Sequence, residues 1–247
     1  MHGDRIEKLT VEPPIHRGRA PVVSRSTLDG ISLLEELPAD LRDRLAQRCR
    51  WRSFRPQQEI IGRENPTRDV YFVASGRVRV VNWSYSGREV SFEDIGAGGT
   101  FGELAAIDGE PRSAAVIALE ETNVAAIDPD SFLDTVMGDP ASARRLIRRL
   151  AAVIRRSTER IFELSVHGAN IRIYAELPRH SEANMTGDNT AEIAPIPVHS
   201  DIAARVSTTR ETVARVMGDL ARRDLVVRKS DRLVVTDVDR LAELVEE

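Results

Sequence analysis

Phe101-Gly102-Glu103-Leu104-Ala105-Ala106-Ile107-Asp108-Gly109-Glu110-Pro111-Arg112-Ser113-Ala114 is the stretch on which the reading of the whole chain turns. It places a carboxylate, Glu103, nine residues ahead of a guanidinium, Arg112, in a segment whose glycines let the backbone approach something small. A sugar bearing a phosphate suits that pair. The carboxylate can accept from ribose hydroxyls, and the guanidinium offers a rigid fork of donors to phosphate oxygens. The ligand implied is a nucleotide. The competing reading of the same residues is a surface Arg–Glu pair on a β-hairpin.

Around this stretch, from Trp51 to Ile127, short apolar runs alternate with turns. Val70 and Phe72, then Val78 and Val80, follow the period of two expected of half-buried strands, with Ser75-Gly76 between them as a hairpin turn. Ser86-Gly87 makes a second turn, and Gly96, Gly98 and Gly99 a third. Closely spaced short strands predict a sandwich or jelly-roll barrel. A dinucleotide fingerprint beginning at Gly96 fails, because its third glycine would fall on Phe101 and no long helix follows.

Upstream, Leu33, Leu34, Leu37, Leu41 and Leu45 predict short helices broken by Pro38. Residues 1 to 27, with Pro13, Pro14, Pro21, Arg17, Arg19 and Arg25, read as a flexible tail. The 247 residues suffice for two domains, and 35 basic against 39 acidic side chains give no global field favouring nucleic acid, so any basic surface must be local. The one cysteine, Cys49, excludes an intrachain disulfide framework and argues against a cysteine-ligated metal site; packing beside Trp51 is its expected role. No metal is expected. No apolar run approaches the ~18 residues of a membrane span and the first residues lack a secretory core, so a cytoplasmic protein with no membrane partner is expected. The sequons at Asn82 and Asn184 then read as chance matches.

Downstream, Ile147, Leu150, Ile154, Ser157, Ile161 and Leu164 are spaced three, four, three, four, three, which is a heptad seam. Arg144, Arg145, Arg148, Arg149, Arg155, Arg156 and Arg160 are expected to coat the remaining surface. A parallel helix dimer and a single amphipathic helix lying on its own barrel both fit. After Pro178, residues 181 to 190 read as a connecting loop. Two apolar faces follow, Ile202, Ala203, Val206 and Val213, Val216, Leu220, joined by Ser207-Thr208-Thr209: a helix-turn-helix. Arg210, Glu211 and Arg215 lie in the first turns of the second helix, where arginine can grip guanine and glutamate can accept from cytosine. Other roles for these residues are a solvated face, an Arg215–Glu211 pair, and a capping box between Thr208 and Glu211. Leu225-Val226-Val227 and Leu233-Val234-Val235 read as a wing, and residues 196 to 230 carry seven Lys and Arg against four acids, which suits phosphate contacts. His199 and Ser200 are candidate backbone contacts, His199 alternatively a cap.

The segment from Phe101 to Ala114 resembles the phosphate-binding cassette of cyclic-nucleotide-binding domains, Phe-Gly-Glu-Leu-Ala followed by Pro-Arg-Ser/Thr-Ala, and every element of that pattern is present. The helix beginning Thr209-Arg210-Glu211-Thr212-Val213 looks like the recognition helix of the same group, and the resemblance to the Crp/Fnr superfamily of transcription regulators spans about residues 28 to 240. It implies an α+β chain: a β jelly-roll over 28–138, a dimerisation helix over 139–168 and a winged helix-turn-helix over 169–247. It further implies that Phe101, Gly102, Leu104 and Ala105 line the nucleotide pocket, that Glu103 holds the ribose 2′-OH and that Arg112 and Ser113 bind the cyclic phosphate. Ser157 and Thr158 would meet the base, one of them across a homodimer. Cyclic AMP is the implied ligand, with cyclic GMP possible, and operator DNA and RNA polymerase are the implied partners. One departure stands out: Glu64-Asn65 replaces a usual Gly-acid pair, and Asn65 is expected to take the left-handed backbone. Within the family, an iron–sulfur sensor lacks its cysteines and a haem sensor has no specifically placed ligand. An enzyme lacks a nucleophile, and a purely protein-binding regulatory subunit would make Arg210 dispensable.

Overall fold

The computed structural model describes residues 27–181 and 189–246. The expected tail, apart from Thr27, most of the expected 181–190 loop and the sequon at Asn184 lie outside them. A short 3-10 turn, Ser32–Leu34, and α1 (Ala39–Arg48), which starts right after Pro38, precede the strands β1 (Arg50–Phe54), β2 (Glu59–Ile61), β3 (Val70–Ser75), β4 (Arg77–Trp83), β5 (Glu89–Gly96) and β6 (Thr100–Phe101). Then come α2 (Glu103–Asp108), β7 (Ala115–Ala118) and β8 (Thr122–Ile127). These strands form two four-stranded antiparallel sheets, in the orders β1-β8-β3-β6 and β2-β7-β4-β5, so the jelly-roll expectation holds.

The half-buried expectation for β3 does not hold, since Val70, Tyr71, Phe72 and Val73 are all buried. The period of two survives but serves two cores. Tyr71 and Val73 point into the barrel with Phe54, Val78, Ile95, Phe101 and Val116, and Tyr71 stacks on Phe101 with ring centroids 5.0 Å apart. Val70 and Phe72 face the other way, into a second core closed by Leu34, Leu45, Phe132, Val136 and Leu146. Cys49 belongs to that core with Trp51 against it, and burial, helped by Asp128, pushes its thiol up to about 11.

The second core requires helices on the outside of the sheet, supplied by α3 (Pro129–Gly138) and α4 (Pro140–Val166). Each begins with the same device. Asp128 accepts from the Ser131 amide and hydroxyl, and Asp139 from the Ser142 amide and hydroxyl, in each case just before a proline at the first helical position. Beyond α4 lie α5 (Ala169–Ser181), β9 (Ala191–Ile193), α6 (His199–Arg205), α7 (Arg210–Arg222), β10 (Val226–Arg228), β11 (Leu233–Val235) and α8 (Val238–Glu246). They share a separate core containing Ile173, Ile202, Val213, Leu220, Val235 and Leu241. The wing is three-stranded, because β9 adds to β11. At Glu64-Asn65 the expectation is reversed. Glu64 takes the left-handed backbone, φ 63°, while the Asn65 side chain accepts from the Thr67 amide.

The hydroxyl and then the amide of each capping serine hold Asp128 and Asp139 below the usual carboxylate range. A carboxyl with a depressed folded pKa stabilises the fold above its unfolded value, about 4, and stops doing so as the pH falls through the folded value. Asp139→Ala should therefore cost about 1 kcal/mol at neutral pH. Urea unfolding should show the gap between variant and parent closing in strong acid.

Candidate functional site

The segment between β6 and β7 folds over one mouth of the barrel. Gly102 has φ 83°, and a Cβ there would lie 2.8 Å from Arg112 Nη1 and 3.0 Å from the Asp69 carbonyl oxygen, so only glycine fits without displacement. The closeness follows from what Arg112 does. Its Nη1 donates to the Gly102 carbonyl at 2.8 Å and its Nη2 to the Asp69 carbonyl at 2.7 Å, locking the guanidinium between two loops. Arg112 is only 4% exposed and Glu103 only 6%, which rules out the surface-pair reading. Among the described residues no carboxylate lies within 4.0 Å of the Arg112 guanidinium, and its Nε is buried without a partner. Burial pushes its pKa down, but an arginine remains a cation at any working pH.

Beside this guanidinium opens a cavity of about 340 Å³. Phe101, Gly102, Glu103, Leu104, Ala105, Arg112 and Ser113, all expected on the site, line it. So does Ser157, from α4, whereas Thr158 does not. The Thr158 hydroxyl instead donates to the Ile154 carbonyl at 3.0 Å, within its own helix. The volume suits a mononucleotide. Four guanidiniums, Arg112, Arg149, Arg156 and Arg160, face two carboxylates, Glu93 and Glu103, across it, so the cavity favours an anion.

Four of the seven arginines expected to coat α4 instead meet partners on the barrel domain. Arg145 pairs with Glu35 at 3.0 Å and Glu36 at 2.7 Å; Arg149 lies 3.4 Å from both Glu93 and Glu103; Arg156 pairs with Glu93 at 2.9 Å. Arg160 lies over the Phe92 ring at 5.8 Å. Helical spacing marked these residues as outside the seam, but it could not say that the barrel supplies carboxylates to meet them. Of the seam, Leu150 packs on the sheet core, while Ile147, Ile154 and Ile161 stay open, each 65 or 66% exposed.

In the last module α6 and α7 meet through the turn containing Ser207, at φ 54°. The capping residue is Thr209, which accepts from the Thr212 amide at 3.2 Å; Thr208 is buried, so the Thr208–Glu211 capping box is not formed. Arg210 and Glu211 are exposed at the start of α7, where the helix-start amide and Thr209 hold the Glu211 carboxyl low. Arg215 donates to the Asn170 side chain at 3.1 Å rather than pairing with Glu211. His199 is the first residue of α6 and Ser200 is exposed beside it; Val198 precedes them without a side-chain cap, so His199 is not one. Arg172 on α5, which the sequence reading passed over, donates to the carbonyls of His167 and Val206, tying the end of α4 to the reading module.

The two halves match two family descriptions, a cyclic nucleotide-binding domain over residues 51–139 and a Crp-like helix-turn-helix domain over residues 144–244. The Cyclic AMP receptor protein of Thermus thermophilus is 32% identical over 158 residues, covering 64% of this chain and 70% of that one. The chain belongs to the Crp/Fnr family of transcription regulators. A CRP-like cAMP-activated global transcriptional regulator of Mycobacterium tuberculosis is 24% identical over 184 residues, 74% of this chain and 82% of that one. A solved CooA variant from Carboxydothermus hydrogenoformans shares the fold with a TM-score of 0.72 at 20% identity, covering 90% of this chain and 97% of that one. This Crp/Fnr chain is thus a ligand-responsive DNA-binding regulator, of a family that regulates transcription rather than catalysing a reaction.

The close packing at Gly102 separates two glycines of similar backbone. Gly87, at φ 77°, has nothing within 4 Å of a built Cβ. Gly87→Ala should cost about 1 kcal/mol from backbone strain alone. Gly102→Ala should cost more, about 2–4 kcal/mol, since the new methyl must also displace Arg112. Urea unfolding of the two variants measures the difference.

Proposed function

We propose that this Crp/Fnr regulator is switched by a cyclic nucleotide, with cyclic AMP as the first candidate, and works as a homodimer on operator DNA. The observation that carries the reading is the buried Arg112 guanidinium, which has no carboxylate partner among the described residues and an unpaired Nε at the wall of a nucleotide-sized cavity. A cyclic phosphate would supply the missing negative charge, with Ser113 beside it. Glu103 would accept from the ribose 2′-OH. Ser157 belongs both to the cavity wall and to the heptad seam, so a base reaching it would touch the dimer interface at the same time. Cyclic AMP is favoured by the names of the relatives. Cyclic GMP is the second reading, favoured by Arg156 and Glu93, since an arginine donates to guanine O6 and N7 and a carboxylate accepts from its N1–H and N2–H groups.

The domain limits follow the same reading: barrel over 28–138, dimerisation helix over 139–168, reading module over 169–247. The exposed isoleucines at seven-residue spacing would bury against a second copy. Arg210, Glu211 and Arg215 would read base edges, and His199, Ser200 and Thr209 would contact the backbone, with two copies of α7 about one turn of duplex apart. RNA polymerase is the expected further partner, and the cytoplasm is where such a regulator meets DNA. Among the described residues no helix is long and apolar enough to cross a membrane.

Parallel calorimetric titrations with cyclic AMP and cyclic GMP test the effector directly; a chain that binds neither defeats the reading. Arg112→Gln should abolish the heat of the preferred nucleotide. Ile154→Asp should turn a dimer into a monomer by sedimentation. Arg210→Ala should weaken binding to a selected duplex by about 1–3 kcal/mol and relax preference at one base pair, measured by fluorescence anisotropy.

A further inference from the structure

The reading module is fastened to the barrel by an ion-pair chain that the nucleotide site does not use. Arg79, on β4, is 5% exposed, and its Nε and Nη2 donate to the two Asp94 oxygens on β5 at 2.7 and 3.0 Å. Asp94 also accepts from Arg205, the last residue of α6, and Arg79 Nη1 lies 3.2 Å from Asp201 of the same helix. A buried arginine of the barrel, held mainly by Asp94 with Glu89 3.9 Å away, is thus also paired by the DNA-binding module. Burial alone would raise the Asp94 carboxyl, but the hydrogen bonds from Arg79 and the charge of Arg205 hold it below the usual range. Around the chain the two modules enclose a cleft of about 650 Å³, and Ser200, a candidate phosphate contact, is in its wall.

The nucleotide cavity lies on the other side of the same strand. Glu93 lines that cavity, and the adjacent Asp94 faces the cleft, as alternation along β5 requires. Arg160, which also lines the cavity, donates at once to the Ser91 carbonyl of β5 and to the Ser207 hydroxyl in the helix-turn-helix, the latter at 3.0 Å. An anion that drew Arg160 inward would take it from Ser207. Duplex DNA, for its part, would compete with Asp94 for Arg205.

We propose that Arg79, Asp94, Asp201 and Arg205 form an autoinhibitory latch, which holds the helix-turn-helix module against the outer face of the barrel and opens when a ligand occupies the cavity. The latch rests on the nucleotide-switch reading for what opens it, but its existence can be tested without ligand or DNA. Because it favours the closed arrangement, removing it must raise affinity for whatever binds the open one.

Asp94→Asn cuts the chain from the barrel side and Arg205→Gln from the other, and neither side chain lines the nucleotide cavity. In the protein alone, both variants should speed amide exchange across residues 199–207 at least about tenfold, with β3 and β8 unchanged. Unchanged exchange across 199–207 in either variant overturns the latch, and faster exchange in β3 and β8 as well would mean that the barrel itself had loosened, which also overturns it. A second measurement uses a duplex selected from a random pool by wild-type protein saturated with cyclic AMP or cyclic GMP. Without nucleotide, Asp94→Asn should bind that duplex roughly tenfold tighter than wild type, and with nucleotide equally well. A gain of the same size in both conditions would be a charge effect on DNA binding and would count against the latch. If the pool yields no duplex at all, the nucleotide-switch reading fails while the exchange result still decides the latch.

Discussion

One guanidinium organises the first half of the molecule. Arg112 spans the Gly102 and Asp69 carbonyls, and through them joins the loop before β3 to the start of α2. Two hydrogen bonds to neutral carbonyls only partly compensate a buried cation, so its charge stays available at the cavity wall. The arrangement also explains why glycine stands at 102, and it leaves Glu103 to pair with Arg149 on α4 rather than with Arg112 nine residues further along the chain. The barrel's hydrogen bonds go to holding a charge in place, not to neutralising it.

From that point α4 carries consequences outward because it has three faces with different partners. Leu146 and Leu150 lie on the sheet core; Arg149, Val153, Arg156, Ser157 and Arg160 form a wall of the cavity; Ile147, Ile154 and Ile161 face away. A helix is stiff over this length, so a change on the cavity face is also a change on the other two. Arg160 adds a shorter route, since it touches the cavity, β5 and the turn before α7.

The parts that were legible in sequence are those where a local rule sets the outcome. The Phe101–Ala114 segment gave its residue types at fixed spacing, the seam its heptads, and α7 its Arg-Glu pair beside a threonine cap. Spacing alone does not say which threonine caps, because Thr208 and Thr209 are equally good cap residues and only the burial of Thr208 decides between them. Position 64 went wrong for a similar reason: Asn65 has the better intrinsic tolerance for left-handed backbone, yet the Glu64 amide and the Arg112 carbonyl 3.0 Å apart fix the turn one residue earlier. Short elements such as α2 and β9 carry no periodicity to read, and they form because tertiary partners complete them. Long-range ion pairs were invisible altogether, since nothing in the spacing of Arg79, Asp94 and Arg205 says that they meet.

The inward turn of the arginines bears on whether the open face of α4 can meet a second copy. With Ile147, Ile154 and Ile161 taken as one seam position, the next flank carries Arg144, Ala151, Thr158 and Ser165. Thr158 and Ser165 donate their hydroxyls to the Ile154 and Ile161 carbonyls, at 3.0 and 2.8 Å, so neither brings an unmet donor to a buried interface. On the opposite flank stand Leu146, Val153 and Arg160, the first two apolar and the last bonded to Ser91 and Ser207. Arg149 and Arg156 are engaged by Glu93, and Arg148 and Arg155 sit a step further round, outside the contact stripe. The seven arginines of this helix therefore leave its apolar stripe nearly free of like-charge contact, with Arg144 on one flank and Arg160 on the other as the exceptions. Pairing with a second copy through this stripe would meet Arg144 near the barrel end of the helix, where Arg145 and its carboxylates already balance part of the local field.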